Sequence, residues 1–380
     1  MILGLLHYKN AKHYGKVRET LDAMSSNLRM GMEGILLMHG SSDFNGWRNK
    51  VLKYKDIVKG IMIFDEMVPY ARIHRQSLEE DLGITDNLYG NFTNRWLDSN
   101  NSGVFEESEF PLNYTQDVWV SRWIPCSRNY FNTPWRRFAN TISGYGNAGY
   151  SDKLEEFTAK IKPQRNNAMD SCGVIVNTKG KFTGQVSEWQ VKMETLHHCF
   201  DKVCDPIRGL KTSIRVNEQT QELFFSKDIG TMYLLGHSHS GQIGDFKASD
   251  AFNLLQRDRG PSVIIVFGCQ VGEWNRKVTP FYSGQNFTIT GNMLNSFFRS
   301  NIRSLVVSGL IQAGTKQDEK IGGKCLFDYM SECDNLGMAA KEWINNGIEY
   351  YRNAPNVISR PVAMQLACMN LMGDPSVLLK

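Results

Sequence analysis

Short apolar runs alternate along this chain with longer stretches of helical hydrophobic spacing. That rhythm predicts an α/β architecture built on a largely parallel sheet. The N-terminal run Met1-Ile-Leu-Gly-Leu-Leu6 reads as a first strand, followed by strands at Gly34–Met38, Gly60–Phe64 and Val118–Trp123. Pro134–Ile142 reads as a helix opened by a proline in its first turn. Residues 146–167 are polar and basic, with Gly146, Gly149 and Pro163, and form the best boundary candidate. Beyond it the pattern restarts, with a strand at Gly173–Val176 and a helix from about Ser187 to Val203, capped by Ser187. The expected division is therefore an N-terminal α/β subdomain over 1–160 and a second over 161–380. No internal repeat or low-complexity stretch interrupts the pattern.

Two strands of the second half end abruptly in reactive residues. Thr231–Leu235 runs into Gly236-His-Ser-His-Ser-Gly241, and Ser262–Phe267 runs into Gly268-Cys-Gln-Val-Gly272. In an open α/β sheet, ligands bind at the carboxyl ends of strands. If these two strands are adjacent and parallel, His237 and Cys269 emerge on one edge, with Asp250–Arg257 as the crossover helix. Their 32-residue separation suits a βαβ unit. A thiol becomes a strong nucleophile only as thiolate, and a neighbouring imidazole can take its proton and return it to a leaving amine. The backbone N–H groups of Ser238 and Cys269 are the candidate oxyanion donors. A cysteine at a strand end also fits a small buried hydrophobe, and a histidine in a Ser/Gly loop also fits a solvated side chain. Spacing alone leaves both readings open.

Composition narrows the setting. The 380 residues are 41% hydrophobic and 22% charged, ordinary values for a folded chain able to bury its own core. The net charge of +4 gives no electrostatic case for nucleic acid or an anionic membrane, and neither is expected as a partner. No apolar run approaches the ~20 residues of a membrane-spanning helix. The eight cysteines lack framework spacing, so a reduced, cytoplasmic setting is expected. The N-terminus carries no basic stretch or small-residue cleavage site of a secretion signal.

Several segments, taken in order, resemble the gingipain family of caspase-like cysteine peptidases. That family carries a strand ending in Gly-His-Gly-Ser and a later strand ending in Ala-Cys-x-x-Gly. Here Tyr233-Leu-Leu-Gly-His-Ser238 and Val266-Phe-Gly-Cys-Gln-Val-Gly272 stand in the same order. Gly60–Pro69 resembles the family's strand-and-Asp segment, Thr85-Asp-Asn-Leu-Tyr-Gly90 its Ser-Asp-x-x-Tyr-Gly, and Asp117–Pro125 its strand ending in Gly-Arg-x-Pro. Met369–Leu379 is similar to its terminal Gly-Asp-Pro-Ser-Leu strand. The resemblance runs from about residue 34 to the end. It implies a caspase-like fold of two α/β subdomains and a cysteine endopeptidase. His237 would be the base and Cys269 the nucleophile, with a protein or peptide substrate and no cofactor or metal. Nothing in the sequence matches a propeptide, which suggests an intracellular relative, a defence or regulatory effector switched on by a protein partner. Residues 98–109 and 313–323 are candidate regulatory loops.

The departures from the family pattern matter. Ser238 stands where the family has glycine, and the second histidine, His239, competes with His237 as base. His237 fits the strand register and is preferred. The family's acidic residue that orients the base falls near Lys179, so a His–Cys dyad is expected, not a triad. The missing acid and the Gly-to-Ser change also keep open an inactive scaffold that retains the fold. Glu188 aligns with an Asp that pairs a P1 cation in arginine-specific members, although a glutamate near a helix N-terminus is equally explained by the macrodipole. Trp274 and the strand-plus-loop at Ser308–Gly314 are candidate pocket walls, and core packing explains an aromatic there equally well. His197-His-Cys199 with Cys204 lacks zinc-ligand spacing, and His39, after its strand, has no partner cysteine.

Overall fold

The computed structural model describes residues 1–30, 34–40, 44–64, 70–74, 80–111, 113–123, 147–161, 168–177, 192–204, 207–209, 229–236, 238–239, 242–243, 246–247, 260–269, 271–272, 293–298, 302–308, 319–353 and 359–379. Eleven strands form one sheet: β1 (Ile2–His7), β2 (Ile35–Gly40), β3 (Gly60–Phe64), β4 (Trp119–Arg122), β5 (Ser171–Asn177), β6 (Lys202–Val203), β7 (Ile207–Gly209), β8 (Thr231–Leu235), β9 (Val263–Phe267), β10 (Ser304–Ser308) and β11 (Met369–Gly373). Their spatial order is β7-β5-β8-β9-β10-β11-β4-β3-β1-β2, with β6 beside β5. The helices are α1 (Tyr14–Asn27), α2 (Phe44–Val51), α3 (Asn147–Ile161), α4 (Met193–Cys199), α5 (Met293–Phe298), α6 (Leu326–Glu332), α7 (Leu336–Asn353) and α8 (Ser359–Ala367).

All pairings in this sheet are parallel except one, between β10 and β11. The register there sets Ser304 opposite Gly373 and Ser308 opposite Met369. Two parallel half-sheets of opposite sense therefore meet at a single antiparallel seam. The carboxyl ends of β8, β9 and β10 share an edge with the amino ends of β11, β4, β3 and β1.

Strands β3, β4, β8, β9, β10 and β11 are buried at every position. Such continuous apolar runs belong to a sheet covered on both faces. In the first half the alternation splits cleanly. Ile2, Leu6, Met62, Phe64 and Trp119 pack with Val17, Leu21 and Met24 of α1 and with Leu154, Phe157 and Ile161 of α3. Leu3, Leu5, Ile61 and Ile63 point the other way, into a cluster that continues through Tyr233, Val263 and Ile265 of the second half. Helix α7 joins that cluster through Leu336, Ala339, Trp343, Ile344 and Ile348, the spaced apolar stripe of a core-facing helix. Asn335 caps it, its Oδ1 accepting the Met338 N–H at 2.9 Å.

Most predicted strands are present with shifted ends. One helical expectation needs correction. The helix predicted over 187–203 is helical only over Met193–Cys199 among its described residues, and its N-cap is Lys192. Phe200 turns extended, and Lys202–Val203 joins the sheet beside β5, so strand pairing overrides the helical pattern. Within the boundary candidate 146–167, α3 spans Asn147–Ile161 and packs on α1, with Thr20 Oγ1 and Thr158 Oγ1 2.7 Å apart. The candidate loop 98–109 carries a short strand, Val104–Glu106, and is tied by Asp98 and Glu109 carboxylates to the N–H groups of Ser102 and Ser99. The helices predicted at 134–142 and 250–257 lie outside the described residues. Among the described residues, no helix is long and apolar enough to cross a membrane.

Candidate active site

The two strands singled out by sequence lie side by side and parallel, in a register that runs from Thr231 opposite Val263 to Leu235 opposite Phe267. They therefore end flush, and the two turns that follow meet. The Gly236 N–H donates to the Phe267 carbonyl at 3.1 Å. Two residues further along each turn, the Ser238 hydroxyl donates to the Cys269 carbonyl at 2.9 Å. On the far side, the Gly272 N–H donates to the Ser308 carbonyl at 2.8 Å, at the end of β10. The turn bearing Cys269 is thus anchored to both neighbouring strands. Ser238 and His239 then open a small antiparallel ribbon with Gln242–Ile243 and Phe246–Lys247.

Two glycines make this packing possible. A Cβ at 268 would collide with the Ser238 side chain and lie 2.8 Å from the Gly236 carbonyl oxygen. A Cβ at 272 would lie 2.9 Å from the Ser308 carbonyl oxygen. Close backbone approach, not unusual φ, is what both positions require.

Cys269 is half-buried. Four other cysteines, Cys172, Cys199, Cys325 and Cys368, are buried. Burial raises the Cys172 thiol far above its ordinary range and pushes Cys325 up to about 12. Cys199 is also pushed up to about 12, first by burial and then by the adjacent Asp328 carboxylate. Those thiols are poor nucleophiles at neutral pH. His197 and His198 are exposed on α4 while Cys199 faces inward, 3.7 Å from Asp328 Oδ1. These residues therefore do not converge. His237, Glu188 and Trp274 lie outside the described residues, as does the side chain of His239.

Sheet polarity places the carboxyl ends of the first-half strands on the opposite edge. His39 lies near the carboxyl end of β2, on the edge opposite Cys269. The carboxyl ends of β3 and β4 lie there too. The segments around Asp86 and Arg122 build a clasp that ties β4 to β11, beside the seam. Asp86 accepts from Arg122 Nε at 2.9 Å and Nη2 at 2.7 Å, and both residues are at most 1% exposed. The Asp86 N–H donates to Asn370 Oδ1, and the Thr85 hydroxyl and Asn87 amide donate to the Ala367 carbonyl. On the other strand of the seam, Asp374 Oδ2 accepts Arg303 at 2.5 and 3.1 Å, while its Oδ1 takes the Ser376 N–H and hydroxyl. A sequence signal for both ion pairs existed. A charged residue inside an apolar run such as Val118-Trp-Val-Ser-Arg-Trp123 must find a buried partner.

A cavity of about 670 Å³ opens near the amino ends of β3 and β4, lined among others by Asn27, Arg29, Lys59, Asp117, Asn335 and Lys341. It lies three to four strand spacings, roughly 15–20 Å, from β9 and does not adjoin Cys269.

No family model matches the chain, and no curated protein matches it. Among solved structures, the chain superposes on the Arg-specific cysteine proteinase gingipain R with a TM-score of 0.56 and 10% sequence identity, over 99% of this chain and 77% of that one. The fold is caspase-like: a mostly parallel central sheet flanked by helices, in two α/β halves. At 10% identity the likeness extends to architecture and no further.

Proposed function

We propose that this protein is a cysteine endopeptidase with Cys269 as nucleophile and His237 as base. The observation that carries the reading is the junction of the β8 and β9 turns at the carboxyl edge. The turn around Cys269 is hydrogen-bonded to Gly236 and Ser238, the two residues that flank His237. The fold shared with a cysteine proteinase supports the same assignment.

On this reading the imidazole takes the thiol proton, and the thiolate attacks a peptide carbonyl carbon. The N–H groups of Ser238 and Cys269 stabilise the oxyanion. The imidazolium returns its proton to the leaving amine, and water hydrolyses the thioester. Glu188 and Trp274 would line the substrate pocket, and no metal or cofactor is invoked. The change from glycine to serine at 238 does not argue for an inactive scaffold, because Gly268 makes room for the side chain.

The test is a peptide-library cleavage assay on the wild type beside Cys269→Ala, His237→Ala and His239→Ala. Cys269→Ala is expected to abolish cleavage. His237→Ala should lower kcat by about 10²–10⁴-fold, the usual worth of general acid–base catalysis, and His239→Ala by less than tenfold. Cleavage by Cys269→Ala at the wild-type rate overturns the proposal.

A further inference from the structure

The same two turns carry a second feature. The Ser238 hydroxyl reaches across to the Cys269 carbonyl at 2.9 Å, and the Ser238 side chain fills the space that a Cβ on residue 268 would take. That Cβ would also sit 2.9 Å from Ser238 Cβ and 2.8 Å from the Gly236 carbonyl oxygen. So the pair holds one side chain between two backbones, and that side chain belongs to residue 238. The motif pattern described above has glycine at the position of 238 and alanine at that of 268. This chain carries the reverse arrangement, serine and glycine.

We infer that Ser238 is a positioning residue whose side chain, matched to Gly268, sets the backbone of the nucleophile turn. Its hydroxyl fixes the carbonyl of Cys269 and, through that peptide, the direction of the Cys269 side chain and N–H. It adds to the Gly236–Phe267 bond on this flank of the turn, as the Gly272–Ser308 bond ties the other. Tight interiors transmit such errors, since overpacking displaces backbone as well as side chains. The role of the hydroxyl is distinct from that of the Ser238 N–H as an oxyanion donor, which any residue at 238 retains. In its catalytic arm the inference rests on the peptidase reading. Its geometric arm does not.

The experiment is a double-mutant cycle on the full chain with Ser238→Gly, Gly268→Ala and both together, plus Ser238→Ala. Two quantities are measured, the rate of Cys269 alkylation by iodoacetamide as a function of pH, read by peptide mass spectrometry, and peptide cleavage. Unfolding midpoints are recorded alongside. Ser238→Ala should slow Cys269 alkylation and kcat at least fivefold with an unchanged midpoint, a split that a purely structural residue would not give. Gly268→Ala should lose at least a hundredfold. The double variant should regain at least tenfold over Gly268→Ala, so the proposal stays testable even if that single variant folds poorly. Multiplicative losses in the double variant overturn the inference, as does wild-type alkylation and cleavage by Ser238→Ala. If the wild type alkylates with the expected coupling but cleaves no peptide, the peptidase reading fails and this inference stands.

Discussion

The buried pair Asp86–Arg122 invites a quantitative test, because its residues belong to motif segments that a sequence reader would mutate as catalytic. Replacing Asp86 by Asn removes the charge and keeps the shape. The Arg122 guanidinium, 0% exposed, then loses a bidentate partner held at 2.7 and 2.9 Å. Removing one member of a buried ion pair costs about 3–5 kcal/mol, mostly because the other charge stays buried. Whole domains are stable by only about 5–15 kcal/mol. Asp86→Asn should therefore remove a large fraction of the stability, and Arg122→Met a similar amount. The double variant Asp86→Leu/Arg122→Met removes both charges and should return to within about 1 kcal/mol of wild type, or exceed it. Urea unfolding is followed by tryptophan fluorescence and far-UV circular dichroism together, since coincident transitions justify a free-energy reading. A loss below about 1 kcal/mol for Asp86→Asn refutes the reasoning. So does a double variant whose loss equals both single losses combined. Activity per folded molecule should survive in Asp86→Asn, because the pair ties β4 to β11 and does not touch Cys269.

Two further outcomes follow from side-chain environment. In the native protein, iodoacetamide at neutral pH should label Cys269 ahead of Cys172, Cys199 and Cys325, whose thiols burial keeps protonated, and mass mapping after a short pulse checks this order. Burial alone would raise the Asp328 carboxyl, but the Cys325 N–H, at 2.8 Å, and the nearby thiols and Lys320 hold it below its ordinary value. A group with a lowered folded pKa stabilises above its unfolded pKa, about 3.9 for Asp. That stability is lost as pH falls through the folded pKa. Asp328→Asn should thus lose about 0.5–2 kcal/mol at neutral pH, the worth of a helix cap, and show a flatter decline in stability below pH 4 in acid titration.

Much of the second half was legible because its strands are buried on both faces. Thr231–Leu235 and Ser262–Phe267 carry no polar alternation to confuse them, and each stops at a glycine. Their adjacency, a condition of the sequence argument, is met in the structure. The helix around Met193 was overextended because local spacing carries no trace of the pairing that draws Lys202 and Val203 into the sheet. Sheet polarity was not legible at all. No feature of Met369–Gly373 tells that it enters between β10 and β4 and runs against β10. Without that reversal, nothing in the sequence shows that Asp86 and Arg122 tie β4 to β11, or that Arg303 and Asp374 bridge the seam. The steric match of Ser238 with Gly268 was equally hidden, since the two positions are 30 residues apart and each alone looks like a departure from a motif.

The seam also imposes an order in time. β11 is the last of the eleven strands to be synthesised, yet it sits in the middle of the sheet. Until residue 373 clears the ribosome, β10 and β4 each present an open edge, the kind of surface that invites wrong partners. Ribosomes add roughly 5–20 residues per second, so the 60 residues between Ser308 and Met369 hold both edges open for several seconds. A nascent chain that already carries Cys269 accordingly lacks the central strand of its own scaffold, and a sheet assembled this way gains its finished architecture only once β11 has been made.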